Sequence, residues 1–424
     1  MKVLLINTSE TAGGAAIAAS RLCDSLNRHG VQAKLLVRDK QTQRVTTIRV
    51  PSRGLRGLWL RGAFLWERFR VWWANGFHRE GLFAVDLGVG GACVVNTPEF
   101  READIIHLHW VNQGFLSLAE LRRILASGKP VVWTMHDMWP VTGICHHANT
   151  CEAFKTECHH CPLLHCGSRK DLSNSVFHKK MKCYGEAKFA LVGCSRWIAG
   201  RALQSALTKG MMITNIPNPI DTDLFQPLDK VEARRQCHLP KEKKLLLFGS
   251  VKINNKQKGI DYLIEACKHL KQKYPDWSQN LGVVVFGQNA DRYASLFPFP
   301  CYAMNYVSSE QELVQIYNSV DLYVTSSLME NLPNTIMEAM ACGIPCVGFN
   351  IGGIPEMIDH QQNGYVAEYQ SANDLADGIK WSLQEEEYPK LRISSRKKVL
   401  RSYSEEIVAK QYISLYHQLL NSHA

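Results

Sequence analysis

The chain lacks any apolar run approaching the ~20 residues that a membrane-spanning helix needs. Its start, MKVLLINTSETAGG, has a short apolar stretch but neither the length nor the cleavage site of a signal peptide, so it reads as a buried first strand. No fixed-period repeat or low-complexity tract interrupts the 424 residues, which argues against solenoid and disordered classes. Negative charge is in short supply, with 39 Asp+Glu against 49 Lys+Arg. A hydrophobic content of 46% and a charged content of 21% are those of a globular protein. The expectation is a cytoplasmic protein whose 14 cysteines are thiols or metal ligands rather than disulfides.

A chain of this length exceeds one ordinary core and points to two domains of about 200 residues. Charge divides the same way. Residues 1–220 hold 28 Lys+Arg against 15 Asp+Glu, and residues 221–424 hold 21 against 24. A basic first half suits anionic lipid, nucleic acid or phosphorylated ligands. Strand-like runs KVLLIN (2–7), AKLLVR (33–38), DIIHLH (104–109) and PVVWTMH (130–136) alternate with helical stretches such as 15–30. The rhythm resumes at KLLLFGS (244–250), LGVVVFG (281–287), DLYVTSS (321–327) and PCVGFN (345–350). Two β-α-β series predict an α/β protein with two Rossmann-like, doubly wound parallel sheets. The proline-rich stretch NIPNPIDTDLFQP (215–227) separates residues 1–216 from 217–404, and the last helix, within 405–424, is expected to return to the first domain.

Ligands of such sheets bind at the carboxyl ends of the strands. Gly13 and Gly14 follow the first strand and open a helix, where backbone N–H groups can meet an anion; a plain tight turn explains them equally. After DLYVTSS comes MENLPNTIMEAMACGIPCVGFNIGGIPEMI (329–358). Glu330 and Glu338 lie eight residues apart around a helix starting near Pro333, so their carboxylates project from nearly one face. Asn331 and Leu332 can direct backbone N–H groups at a diphosphate. Carboxylates on both sides of a phosphate site suit hydroxyl-rich groups such as a sugar and a ribose.

This block resembles the E-x7-E signature of the family 4 glycosyltransferases, and the resemblance extends over nearly the whole chain. The stretch TMHDMWPVTGICHH is similar to a subgroup that builds bacterial surface polysaccharides. The resemblance implies the GT-B fold, with an acceptor domain and a donor domain facing across a cleft. It also implies roles for single residues. Glu330 would contact the transferred sugar, Glu338 the ribose, Lys258 the diphosphate, and His136 would line the sugar site. The implied reaction is retaining transfer from a nucleotide-diphosphate sugar to a growing, lipid-linked glycan, with no catalytic metal. Ser250 stands where relatives often carry a phosphate-binding arginine, which leaves Lys252 or Lys256 as substitutes, and Pro219 stands where many carry glycine.

Four further features compete for attention. Asp221 and Asp223 form a D-x-D, but their place in a proline-rich linker assigns them to a turn. His107 and His109 follow a strand and fit an acceptor-side or a structural role. Cys145, Cys151, Cys158 and Cys161 are spaced C-x5-C-x6-C-x2-C, which suits a closed structural zinc site, the alternative being free thiols in an irregular loop. In residues 53–79, Trp59, Phe64, Trp66, Phe69, Trp72 and Trp73 interleave with Arg53, Arg56, Arg61, Arg68 and Arg70. That pattern suits a helix in an anionic membrane interface, or one packing its aromatics inward. A metal-dependent hydrolase built on the Cys/His cluster is the rival enzyme. A basic nucleic-acid-binding protein is the non-enzymatic rival, but it leaves the second half unexplained, and no nucleic acid is expected as a partner.

Overall fold

The computed structural model describes residues 1–51, 55–79, 81–185, 187–305, 307 and 309–423, with the side chains of 55, 56, 59, 61 and 423 left aside. The chain forms two compact units, Met1–Pro217 with Val408–Ala424, and Asn218–Ile407.

In the first unit, seven parallel strands lie in the order β3-β2-β1-β4-β5-β6-β7. They are β1 (Lys2–Ser9), β2 (Gln32–Asp39), β3 (Thr47–Arg49), β4 (Ile105–Leu108), β5 (Val131–Met135), β6 (Ala190–Gly193) and β7 (Met212–Asn215). Parallel strands need crossover helices on both faces, so their residues are buried on both sides. Thus Leu4 and Ile6 of β1 enter one apolar cluster with Trp133, while Val3 and Leu5 enter another. The second cluster is completed by Val408, Tyr412, Leu415, Tyr416 and Leu419 of the C-terminal helix, Glu405–His423. Helix α1 (Gly14–Arg28) follows β1, and helix α2 (Leu55–Ala74) carries the Trp- and Arg-rich stretch.

In the second unit, six parallel strands run β10-β9-β8-β11-β12-β13. They are β8 (Lys244–Lys252), β9 (Leu281–Gln288), β10 (Cys301–Met304), β11 (Leu322–Thr325), β12 (Cys346–Phe349) and β13 (Gly364–Ala367). Leu246, Phe248, Val283, Val285, Leu322, Val324, Val347 and Phe349 form one face of its core. Three helices position the site: α3 (Ile260–Lys273), α4 (Glu310–Ser319) and α5 (Asn334–Ala341). Each sheet has the doubly wound form read from the sequence, with the strand order reversing beside its first strand.

Two expectations are corrected here. Arg68 does not face outward: it is buried, pairs with buried Glu67 and donates to the carbonyls of Leu82 and Val85. A buried guanidinium needs such partners, and Glu67 on the same helix supplies the charge. The zinc site is not formed either. Cys145, Cys151, Cys158 and Cys161 line one cavity of about 200 Å³, yet among the described residues no group of three or more His, Cys, Asp or Glu side chains is placed to hold a metal. Cys158 and Cys161 pack into the apolar core, and the Cys158 sulfur accepts from the Gly143 N–H at 3.3 Å. Burial pushes both thiols up to about 12, which favours the protonated form at neutral pH.

Candidate active site

The carboxyl end of β11 runs into residues 326–333, and two neighbouring segments brace that loop. The Ser326 hydroxyl donates to the Gly259 carbonyl at 2.6 Å, and the Leu328 N–H donates to the Gln257 carbonyl at 2.8 Å. The Gly353 N–H donates to the Asn331 carbonyl at 2.7 Å. Each segment comes this close through a glycine with positive φ. A Cβ at Gly259 (φ 66°) would run into the Ser326 carbonyl, and one at Gly352 (φ 58°) into the Glu330 carbonyl. The IGGIPE segment is therefore a brace for Glu330 and Asn331, and a bulkier residue would displace them.

This bracing brings Lys258 and Glu330 together. The Lys258 ammonium, at the end of the short turn Lys256–Lys258, pairs with the Glu330 carboxylate. The lysine side chain is one-third exposed and the glutamate 14% exposed, so an entering ligand can reach both. Helix α5 begins immediately afterwards, with Pro333 at its N-cap and no side-chain capping bond. Asn331 and Leu332 are nearly buried just before that helix start. An anion there meets the helix dipole and the lysine together.

Glu338 lies within α5 and is buried except for 5% of its surface. The Tyr317 hydroxyl on α4 donates to its Oε2 at 2.9 Å. Burial, and then the neighbouring carboxylate, hold the phenol well above its ordinary range, so Tyr317 stays a donor. Sequence reasoning missed this residue. A tyrosine in the apolar stripe of a helix is a usable signal, because a buried phenol requires a partner. Lys252 and Lys256 are exposed at the end of β8 and in the following turn, and Ser250 bonds locally to the Lys252 carbonyl.

The first unit holds the other predicted residues. Gly13 caps α1 with φ 92°, a conformation that favours glycine, and Gly14 is the first helical residue. Glu10, fully buried before this loop, accepts from the N–H groups of Gln41 and Thr42 and from the Thr42 hydroxyl. Burial alone would raise its carboxyl, but these hydrogen bonds outweigh burial and hold it low. His136 follows β5, with its Nε2 3.0 Å from His109 Nδ1. Asp137 beside it accepts from Trp110 Nε1, the Trp139 N–H and His146 Nδ1. His107 lies wholly in the core, bonded to Thr134 and Tyr416. Asp221 accepts from the N–H groups of Asp223 and Leu224, the turn role expected of it.

Residues 229–399 match the family described as "Glycosyl transferases group 1". Among curated proteins, the chain is 27% identical over 199 residues to N,N'-diacetylbacillosaminyl-diphospho-undecaprenol alpha-1,3-N-acetylgalactosaminyltransferase of Campylobacter jejuni, covering 44% of this chain and 51% of that one. The chain spans about half the length of the curated relatives it matches. Among solved structures, a sucrose-phosphate synthase from Thermosynechococcus elongatus superposes over 100% of both chains with a TM-score of 0.68 at 17% identity. Anabaena HepE in complex with UDP-glucose covers 99% of this chain and 100% of its own, with a TM-score of 0.65 at 15% identity. Residues 229–399 belong to the group 1 glycosyl transferases, as the E-x7-E block implied, and the chain as a whole has the GT-B fold.

Proposed function

We propose that this protein is a retaining glycosyltransferase that moves a sugar from a nucleotide-diphosphate sugar to a lipid-linked glycan. The observation that carries the reading is the juxtaposition of Lys258, Glu330 and the uncapped start of α5, with Glu338 further along the same helix. Lys258 and the helix N-terminus suit a diphosphate; Glu330 suits sugar hydroxyls and Glu338 a ribose. The acceptor hydroxyl attacks the anomeric carbon from the face that the diphosphate leaves. The bond from that carbon to the phosphate oxygen breaks, the bond to the acceptor oxygen forms, and the acceptor proton passes to the departing phosphate. Charge that develops on the leaving group meets Lys258 and the helix dipole. His136 is assigned to the sugar site, and the Gly13–Gly14 turn to an anionic group of either substrate. The lipid-linked acceptor is supported by the name of the Campylobacter relative, which carries diphospho-undecaprenol.

A bilayer as the working surface is supported by α2. Leu58, Leu65, Trp66, Phe69 and Trp73 share one exposed side of that helix, continued by Phe77, and each is 41–66% exposed. Trp66, Phe69, Trp73 and Phe77 pack ring against ring in sequence, with centroids 5.2–6.0 Å apart. Arg70 adjoins this side by helical spacing, and Arg79, beyond the helix end, is exposed; Trp59, Arg53, Arg56 and Arg61 lie outside the described residues or side chains. Interfacial helices place aromatics among acyl chains and arginines on phosphates. No helix among the described residues is long and apolar enough to cross a membrane.

Thermal unfolding of the purified chain across a panel of nucleotide sugars tests the donor assignment. One donor at ~100 times its Kd should add about 2.7 kcal/mol of stability. A flat response across the panel would sink it. Sedimentation with anionic liposomes tests the surface, and undiminished binding of Trp66→Ala with Trp73→Ala would refute it.

A further inference from the structure

Strands β4 and β5 of the first unit pair side by side, and the segments after them carry a group to which the reaction above assigns no part. Trp110 follows β4, Asp137 follows β5, and His146 comes from the loop beyond. The Trp110 backbone is clamped to β1. Its N–H donates to Asn7 Oδ1 at 2.9 Å, and its carbonyl accepts from the N–H and the hydroxyl of Thr8 at 2.8 and 2.9 Å. Its indole Nε1 donates to Asp137 Oδ2 at 2.7 Å. The His146 backbone is held as well, donating to the Ala84 carbonyl at 3.1 Å and accepting from the Met138 N–H at 2.7 Å.

Asp137 joins the two rings. Its Oδ2 also accepts from His146 Nδ1 at 2.7 Å, and its Oδ1 accepts from the Trp139 N–H at 2.9 Å. Burial would raise its carboxyl, but His146 and these bonds outweigh burial and hold it at about 2. An ionised carboxylate only accepts, so the proton in the bond to His146 sits on Nδ1. That leaves Nε2 on the opposite edge of the imidazole. It has no hydrogen-bond partner within the protein and is not closed off from solvent, and the His146 side chain is 13% exposed. In either charge state this nitrogen can meet a hydroxyl, because bare it accepts and protonated it donates. Beside it lies the partly exposed Trp110 indole, with ring centroids 5.8 Å apart and planes 37° apart. A polar point next to an apolar plate suits a pyranose, which has a C–H face and a rim of hydroxyls; ligand sites commonly pair aromatic surface with a few fixed polar groups.

We infer that Trp110 and His146 form a subsite for a sugar ring of the acceptor, the indole covering its C–H face and His146 Nε2 bonding one hydroxyl. Asp137 is the positioning residue, since one carboxylate fixes the plate and the polar point relative to each other. Calling the sugar the acceptor's rests on the transferase reading, which puts donor chemistry at the E-x7-E block of the second unit. The sugar subsite itself does not rest on it.

The tests separate the two. Saturation-transfer NMR of the full chain, irradiated at its aromatic protons, uses methyl glycosides of glucose, galactose, N-acetylglucosamine and N-acetylgalactosamine as probes. At least one should receive saturation at its C–H protons. His146→Asn keeps an amide donor for Asp137 but places nothing where Nε2 stood, whereas His146→Gln reaches further toward that position. The transfer should be lost in His146→Asn and in Trp110→Leu, each folded by circular dichroism, and kept in His146→Gln. A merely structural histidine would be replaced well by asparagine. No transfer to any glycoside, or transfer that His146→Asn leaves intact, overturns the subsite. In turnover with the stabilising nucleotide sugar and membrane-extracted acceptor, His146→Asn should raise the acceptor KM ~10-fold and leave the donor KM unchanged. Equal rises in both overturn the assignment to the acceptor. Absence of turnover by the unaltered chain with every nucleotide sugar would defeat the transferase reading and leave the glycoside result standing.

Discussion

Replacing Glu330 by glutamine should make the protein bind a bare nucleoside diphosphate more tightly. In the ligand-free protein Lys258 is engaged by Glu330, so a diphosphate that claims the lysine must first break that pair. The Glu330 carboxylate also stands beside the arriving anion and repels it. Glutamine keeps the shape, removes the repulsion and releases the lysine. An exposed ion pair is worth about 0.2–1 kcal/mol, and one-third exposure of Lys258 keeps this pair near the upper end of that range. Removing the repulsion adds a similar amount, so the gain is about 2 kcal/mol, or roughly 30-fold in Kd. Titration calorimetry with UDP, GDP and ADP on both proteins reads it. Binding of the intact nucleotide sugar should move the other way, because the sugar loses its carboxylate. Unchanged or weaker diphosphate binding by Glu330→Gln would refute the competition between carboxylate and phosphate for Lys258.

Three further outcomes follow from the same geometry. Tyr317→Phe removes the donor to buried Glu338 and should weaken nucleotide binding by about 1–3 kcal/mol with little change in turnover at saturation, readable as a rise in KM. Gly352→Ala forces a side chain onto the Glu330 carbonyl at positive φ, and should cost about 1–3 kcal/mol in chemical denaturation together with donor binding; wild-type behaviour would show that the brace is dispensable. Acid should destabilise the first unit. Burial depresses His107 to about 3 and His136 to about 4, so below pH 6.5 the unfolded chain takes up protons that the folded one refuses. Each of these histidines then costs about 1.4 kcal/mol per pH unit down to its folded value. His107→Gln should flatten that slope in urea titrations between pH 6.5 and 4.5, and an unaltered slope would contradict it.

The long central strands were legible because both faces of a parallel sheet are buried, which writes them as continuous apolar runs. The edge strands were not. Residues of β7 and β10 are largely half-exposed, so MITN and CYAM carry no such run. Glu330, Glu338 and Lys258 could be read from spacing and resemblance, since the two glutamates sit eight apart in one block and Lys258 falls in a recognisable short motif. Tyr317 meets Glu338 through a bond that only the folded arrangement creates. Composition misled at Arg68, because a count of arginines beside tryptophans does not say which helix face is covered. It misled again at the cysteines, whose spacing brings four thiols to one cavity without arranging three of them around a metal.

The central claim is that donor chemistry lies at the two glutamates of the E-x7-E block. It is tested most directly by release of nucleoside diphosphate from the stabilising nucleotide sugar, with membrane-extracted acceptor, by the unaltered chain, Glu330→Ala and Glu338→Ala. Each variant should keep its fold by circular dichroism and lose at least ~100-fold in turnover, the scale set by removing a group that acts on the reacting centre. Full activity in both would contradict the account.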